Sequence, residues 1–126
     1  GSGQPVDLPV TVRRIVSNAE QSFGRAKQAM GCGVWVSAVN NLDIFLNTIR
    51  TQTFHPDAFE QFGLKISDKK IVVVKSTQHF YAGFAPIAKS VLYVSAPGSI
   101  NMNFSEIGFK KFTDPYWPKV PDPRSA

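Results

Sequence analysis

A run of four β-branched residues, Ile71 to Val74, constrains this chain more than any other feature of its sequence. Such a run is typical of a strand buried on both faces of a sheet. After the polar residues 75–79, apolar side chains recur at spacings of three and four, at Phe80, Phe84, Ile87 and Val91. This spacing predicts an amphipathic helix that Ser76 or Thr77 caps and that Pro86 kinks or restarts.

A further strand is predicted at Leu92 to Val94, closed by Ala96-Pro97-Gly98. Two strands joined by a helix are expected to lie parallel, with a right-handed crossover. In open α/β sheets, ligands bind at the carboxyl ends of the strands, because helix N-termini direct N–H groups toward that edge. The corner at residues 75–79 is therefore the candidate site that this pattern indicates.

The rest of the chain predicts a second group of elements. Residues 7–18 alternate well enough for a strand, which Pro9 restricts to a sheet edge or a strand start, and the polar residues 19–30 are expected to form a loop. Residues 34–49 predict a β-hairpin that turns at Asn40-Asn41, because Asn tolerates positive φ. Residues 55–63 predict a short helix that ends at Gly63. The expected fold is α/β, a mixed β-sheet with a β-hairpin, a strand-helix-strand unit and helices packed on the sheet.

Composition limits the class of protein. The 126 residues are enough for one domain, in which residues 113–126, with four prolines, form an extended tail. No apolar run is long enough to span a bilayer and no signal-peptide pattern begins the chain, so neither a membrane nor export is indicated. The single cysteine, Cys32, fits a cytoplasmic protein. The net charge of +5 is scattered along the sequence, which does not predict nucleic-acid binding.

Candidate chemical groups are few. A zinc site needs three or four donors at fixed spacing, and neither HExxH nor CxxC occurs. His55 and Asp57 are either two donors on one turn or a polar helix start, and the structural interpretation is favoured. His79 is either a neutral ligand-binding imidazole or a residue that bonds to the backbone. Lys75 needs a partner anion unless it extends into solvent. No catalytic residue and no metal ligand is predicted within this chain.

Four segments carry a family resemblance: QPVDLPVTV at 4–12, LDIFLNTIRTQTFHPDAFEQFG at 42–63, VVVKSTQHFYAGFAPIA at 72–88 and VLYVSAPGS at 91–99. Together they resemble the C-terminal region of the MlrC (microcystinase C) family of zinc-dependent metallopeptidases, in the order that the family has them. The resemblance implies a two-part enzyme for microcystin or other peptides, whose N-terminal domain binds the zinc. This chain is then the latter part of the C-terminal domain, lines the substrate cleft, binds no zinc itself and is inactive alone.

The resemblance also implies site residues. In the KSxxHF element these are Lys75, Ser76, His79 and Phe80, and in the RTQ element they are Arg50 and Gln52. All six are expected to face the peptide substrate, although Phe80 is equally suited to the core. The expected partners are the N-terminal metal-binding domain and the peptide. The alternative function is a non-catalytic α/β module that binds a small anion or a protein partner at the same corner.

Overall fold

The computed structural model describes residues 4–96 and 103–125. The chain divides into two compact units, one formed by Asp7–Val91 and the other by the parts of the chain on either side of it. The first unit contains β1 (Thr11–Phe23), β2 (Ala26–Ala38), β3 (Leu42–Asn47), α1 (Asp57–Glu60) and α2 (Tyr81–Phe84), with 3₁₀ turns at Ile66–Asp68 and Ala85–Ile87. In the described part of the chain, the three strands form one antiparallel sheet in the order β1-β2-β3. The fold is therefore mostly β.

The predicted hairpin is confirmed as the β2–β3 pair. Asn40 and Asn41 take φ values of 58° and 59°, and the amide of Leu42 donates to the carbonyl of Val39 at 3.3 Å. The strands then pair in regular register, with Trp35 opposite Phe45. A two-residue turn with both residues at positive φ matches the twist of the strands that it joins, which explains the choice of Asn-Asn.

The prediction of a loop over residues 19–30 is wrong, because β1 continues to Phe23 and pairs with β2 from Ala26 onward. The register shifts between Val16 and Ala19 and again between Ala19 and Glu20. Each shift disrupts the period-two alternation by which a strand is recognised in a sequence. The predicted start was nearly right: β1 begins just after Pro9 and lies at an edge of the described sheet.

The hydrophobic core lies on one face of this sheet, and α1 packs against it. Its buried members are Ala19, Met30, Ala58 and Phe62, with Val16, Trp35, Phe45 and Phe59 around them. The ring of Phe62 lies over Gly33, where an added Cβ would come within 2.5 Å of the ring. The predicted helix at residues 55–63 is present but shorter than expected, because α1 ends at Glu60, and Gly63, with φ +93°, lies three residues beyond that end.

The opposite face of the sheet is also apolar. Directly paired residues in antiparallel strands point to the same face. On this face, the paired residues of the three strands form two apolar rows, Val12–Val36–Ile44 and Ile15–Val34–Leu46. Val36 in the centre is buried, whereas Val12, Ile15 and Leu46 are 57%, 60% and 57% exposed. Apolar side chains on both faces are typical of a sheet that is covered by a layer on each side.

The strand-helix-strand unit is the part of the predicted fold that the structure contradicts. Residues 71–74 belong to no strand, and Ile71 and Val73 are 81% and 86% exposed, so the expectation of burial on both faces is wrong for this chain. Leu92 to Val94 is likewise no strand, and Pro97 and Gly98 lie outside the described residues. A strand exists only when a neighbour supplies hydrogen bonds, which a sequence run cannot guarantee.

The helix predicted after this run is much shorter than its apolar spacing indicates. α2 has four residues, its N-cap is Phe80, and no side chain caps it, so the predicted capping by Ser76 or Thr77 is wrong. The predicted interruption at Pro86 is confirmed, since α2 ends at Phe84 and a 3₁₀ turn containing Pro86 follows. Among the described residues, no helix has the length and apolar character needed to cross a bilayer.

The second unit contains the proline-rich tail. The hydroxyl of Tyr116 donates to the carbonyls of Phe104 and Ile107 at 3.2 and 3.0 Å. Its ring contacts Phe109 and Phe112, with centroids 5.4 and 6.0 Å away. The neighbouring Trp117 is 70% exposed. Tyr116 is therefore the residue that fixes the tail.

Candidate functional site

The segment between β3 and α1 is held on β1 by a buried glutamine. Gln21 is completely buried, its Nε2 donates to the carbonyl of Gln52 at 2.6 Å, and its Oε1 accepts from the amide of Phe54 at 2.7 Å. A carboxamide bonded on both sides is well suited to burial, because neither its donor nor its acceptor is left unpaired. The side chain of Gln52 therefore starts from a fixed backbone position.

Ser76 meets Gln52 across this segment. The Ser76 hydroxyl donates to Gln52 Oε1 at 2.9 Å. The bond joins the RTQ element to the KSxxHF element, two parts of the sequence that lie 24 positions apart. No bond to Gln52 Nε2 is present among the residues that the structure describes, so this amide can donate to a ligand.

His79 packs beside two phenylalanines. Its ring centroid is 5.3 Å from that of Phe23 and 5.8 Å from that of Phe54, with edge-on geometry in both cases. The two phenylalanine rings contact each other at 4.6 Å. The imidazole is exposed, and within residues 4–96 and 103–125 no side chain or backbone group hydrogen-bonds to it. Gln52, Phe54, Ser76 and His79, with Phe23, form what we call the 52–79 cluster.

The other three predicted site residues lie apart from this cluster. Phe80 is 7% exposed and belongs to the interior, so of its two interpretations the structure favours the core. Arg50 and Lys75 are exposed, and neither forms an ion pair with a described residue. The structure thus joins Gln52 to Ser76 and places His79 against Phe54. Whether any of the six contacts substrate stays a prediction.

Asp57 fixes the start of α1 beneath the cluster. Its carboxylate accepts from the Ser22 amide at 3.0 Å, from the Ser22 hydroxyl at 2.6 Å and from Lys27 Nζ at 3.1 Å. His55 Nδ1 lies 3.1 Å from Asp57 Oδ1, the oxygen that also accepts from the Ser22 amide. Burial raises the pKa of this carboxyl, but the bonds from Ser22 and Lys27 and the neighbouring His55 outweigh burial and lower the pKa. These contacts agree with the structural interpretation of His55 and Asp57.

A close backbone approach places α2 against the same segment. A Cβ added to Gly83 would lie 2.7 Å from the Phe54 carbonyl oxygen and 3.1 Å from His55 Cα. Phe84 is buried beside Phe59, with centroids 6.2 Å apart. Sequence reasoning missed Gln21, Phe23 and Gly83 as supports of the cluster. Gln21 and Phe23 lie in the stretch predicted to be a loop, and nothing local marks Gly83 as a contact.

A second polar group surrounds Asp43 at the other end of the hairpin. Asp43 accepts from Trp35 Nε1 at 2.6 Å and pairs with Lys69, whose Nζ also donates to Asn41 Oδ1 at 3.1 Å. Burial raises the pKa of Asp43, and the bonds from Lys69 and Trp35 lower it by more. These polar groups bond to one another, so their role is structural. They hold Lys69 and the 3₁₀ turn before it against the hairpin.

The zinc implied by the family resemblance does not fit the residues described here. No group of three or more His, Cys, Asp or Glu side chains comes together within residues 4–96 and 103–125. A protein zinc site needs at least three such ligands. Asp57 and His55 are near each other, but Asp57 is already engaged by Ser22 and Lys27.

Comparison with known proteins agrees with the resemblance. The family described as MlrC C-terminus matches residues 1–111. Microcystinase C from Sphingomonas sp is 29% identical over 120 residues, which are 95% of this chain and 23% of that protein. The chain thus spans about a quarter of the length of the curated relative that it matches. The family match contains both elements of the 52–79 cluster and covers most of the sequence, so the chain belongs to the MlrC C-terminus family.

Proposed function

We propose that this chain is the C-terminal, cleft-lining part of an MlrC-like zinc metallopeptidase that hydrolyses peptides. The family match and the similarity to a protein named for its action on microcystin support this proposal. The zinc is bound by a part of the longer enzyme outside this chain, in an N-terminal domain that packs against this one. The role of this chain is to bind and orient the peptide.

The observation that carries the proposal is the contact between Ser76 and Gln52. It brings two elements of the family resemblance to one surface with His79 beside them. The Gln52 amide can donate to a peptide carbonyl, and the Ser76 hydroxyl oxygen and a neutral imidazole nitrogen can accept from a peptide N–H. Arg50 and Lys75 are exposed cations, which can attract a peptide carboxylate.

The anion-binding alternative loses its main support in the structure. It depended on a helix N-terminus at the corner of residues 75–79. α2 has only four residues, and a helix of one turn aligns too few peptide dipoles to attract an anion strongly. The cleft-lining role needs no such dipole.

The proposal is tested with variants of the longer enzyme that contains this chain. We expect His79→Ala and Ser76→Ala each to lower kcat/KM for a microcystin or a synthetic peptide about tenfold or more, the effect of losing one hydrogen bond to substrate. Gln78→Ala is the matched control, because Gln78 lies in the same exposed turn outside the cluster. Metal analysis should find equal zinc content in all three variants.

Two outcomes would contradict the proposal. Unchanged kcat/KM in both cluster variants would remove the cleft-lining role. Peptidase activity or stoichiometric zinc binding by the 126-residue chain alone would contradict the division of tasks between the two parts of the enzyme.

A further inference from the structure

Residues 70–75 lie outside every described helix and strand and form what we call the open segment. No residue from Lys70 to Lys75 makes a backbone hydrogen bond to another described residue. Buried backbone N–H and C=O groups are almost always paired in proteins, and secondary structure is their usual partner. In the unit formed by Asp7–Val91, this segment contrasts with the paired backbones of β1, β2 and β3.

The segment already has the side-chain pattern of a strand. Val72 and Val74 are half-buried, while Ile71 and Val73 are 81% and 86% exposed. Alternation with a period of two is the pleat of a β-strand. An open β-branched strand is also a hazard, because both of its edges are templates for another chain.

Contacts at both ends hold the segment in place. At its start, Lys69 pairs with Asp43 and donates to Asn41. At its end, Ser76 donates to Gln52. A segment pinned at both ends has already lost much of the conformational entropy that strand pairing would otherwise cost.

We propose that residues 70–75 are an open strand that pairs with a β-strand from the part of the longer polypeptide outside this chain. The inference rests on the proposed function, in which this chain is one part of a two-part protein. About three quarters of the length of the matched relative lies outside the match, which is enough sequence to contain such a strand. Main-chain hydrogen bonds would supply the affinity, and the exposed side chains of Ile71 and Val73 would pack against the added layer.

The flanking charges favour this occupant over a second copy of the chain. The apolar run lies between Lys70 and Lys75. Antiparallel pairing of two copies in register would place Lys70 of one beside Lys75 of the other, and parallel pairing would place each lysine beside its own counterpart. Like charges opposite each other destabilise a strand pair. A partner strand flanked by acidic side chains has no such penalty.

Hydrogen exchange tests the inference in the polypeptide encoded by the whole reading frame. We expect the amides of residues 71–75 to exchange about 100-fold slower, or more, than in an unstructured peptide of the same sequence. This protection should not depend on protein concentration. Val73→Pro should abolish the protection of its neighbours and lower Tm, because proline has no N–H to donate. Val73→Thr, the matched control, keeps both the N–H and the β propensity and should keep the protection.

Three results would overturn the inference. The first is free exchange of residues 71–75 in the longer protein, the second is protection that appears only as the protein dimerises, and the third is a reading frame that encodes no further strand. The outcome is separable from the proposed function. Peptidase activity without protection refutes the strand alone, whereas protection without peptidase activity refutes the metallopeptidase role alone.

Discussion

Gln21 is the most deeply buried of the polar residues that the structure describes. Its carboxamide forms two hydrogen bonds to the segment that carries Gln52. Its donor and acceptor reach the backbone of Gln52 and of Phe54. When one partner of a buried hydrogen bond is removed, the protein loses more stability than the bond contributed. The groups left behind can then bond neither to the protein nor to water. Gln21 therefore fixes the backbone of Gln52 and Phe54, two members of the 52–79 cluster, on β1.

We predict that Gln21→Leu destabilises the chain by about 2–3 kcal/mol, because it leaves the Gln52 carbonyl and the Phe54 amide unpaired. Urea denaturation measures this loss. Gln28→Leu is the control, since Gln28 lies directly opposite in β2 and bonds only to the carbonyl of Ala29. Its expected effect is within about 0.5 kcal/mol. Equal losses in the two variants would contradict the role of Gln21.

The lowered pKa of Asp57 predicts a loss of stability in acid. A carboxyl whose pKa is lower in the folded than in the unfolded chain contributes stability that is complete above the unfolded pKa and is lost as pH falls through the folded one. The unfolded value is near 3.8, so we expect the decline below about pH 4. Between pH 6 and pH 2, the urea midpoint of Asp57→Asn should fall less steeply with falling pH than that of the parent chain. Asp43 contributes in the same direction, and Asp43→Asn in the same background should flatten the profile further.

At the scale of elements, α2 is stabilised by its tertiary contacts, because it is too short to be stable alone. Isolated helices shorter than about 12 residues are marginal in water, so a four-residue helix depends on tertiary packing. Gly83 allows that packing, because the helix lies directly on the backbone of Phe54 and His55. The turn that carries His79 immediately precedes this helix, and its position therefore depends on the same contact.

We predict that Gly83→Ala destabilises the chain although alanine is the better helix former. The gain in helix propensity is about 1 kcal/mol, whereas the new Cβ meets the carbonyl oxygen of Phe54 at 2.7 Å. Overpacking of this kind costs about 1–3 kcal/mol. Thermal unfolding should show the loss, and the NMR signals of the His79 ring should move.

Gly108→Ala is the control for this variant, because an added Cβ there has nothing within 4 Å. A Tm for Gly83→Ala at or above that of the parent chain would show that α2 does not lie on the 54–55 backbone.

At the scale of the whole molecule, many large apolar side chains of the described residues are exposed, and contiguous exposed apolar surface is typical of an interaction site. In the unit formed by Asp7–Val91 they include Ile71 and Val73 of the open segment and Val12, Ile15 and Leu46 on the second face of the sheet. A strand can pair with the open segment, and another layer can cover this face of the sheet. This pattern agrees with a chain that spans about a quarter of its relative.

We predict that Val73→Lys reduces self-association of the 126-residue chain, because a charge interrupts the exposed β-branched run. Light scattering over a concentration series measures the effect. Val6→Lys is the control, since Val6 is 75% exposed but lies outside that run. If both variants associate to the same degree as the parent chain, the run is not the source of the association.

Local chemistry allowed part of the fold to be predicted. The turn at Asn40-Asn41, the left-handed conformation of Gly63 beyond α1 and the interruption at Pro86 depend on allowed φ values and missing donors, which are properties of single residues. No periodicity of apolar residues in the sequence predicted that Gln52 lies beside Ser76. It was expected only because both residues belong to segments of the family resemblance, and their contact with substrate stays a prediction.

The sequence by itself determined the turn at Asn40-Asn41, the interruption at Pro86 and the family to which the chain belongs. Only the tertiary structure decided that residues 19–23 and 26–30 are strands and that Ile71 to Val74 is not one. The physical reason is the same in both cases. A strand is a relation between two backbones, so the bulged pairing of β1 with β2 forms despite its polar sequence, and the most β-prone run of the chain stays unpaired without a neighbour.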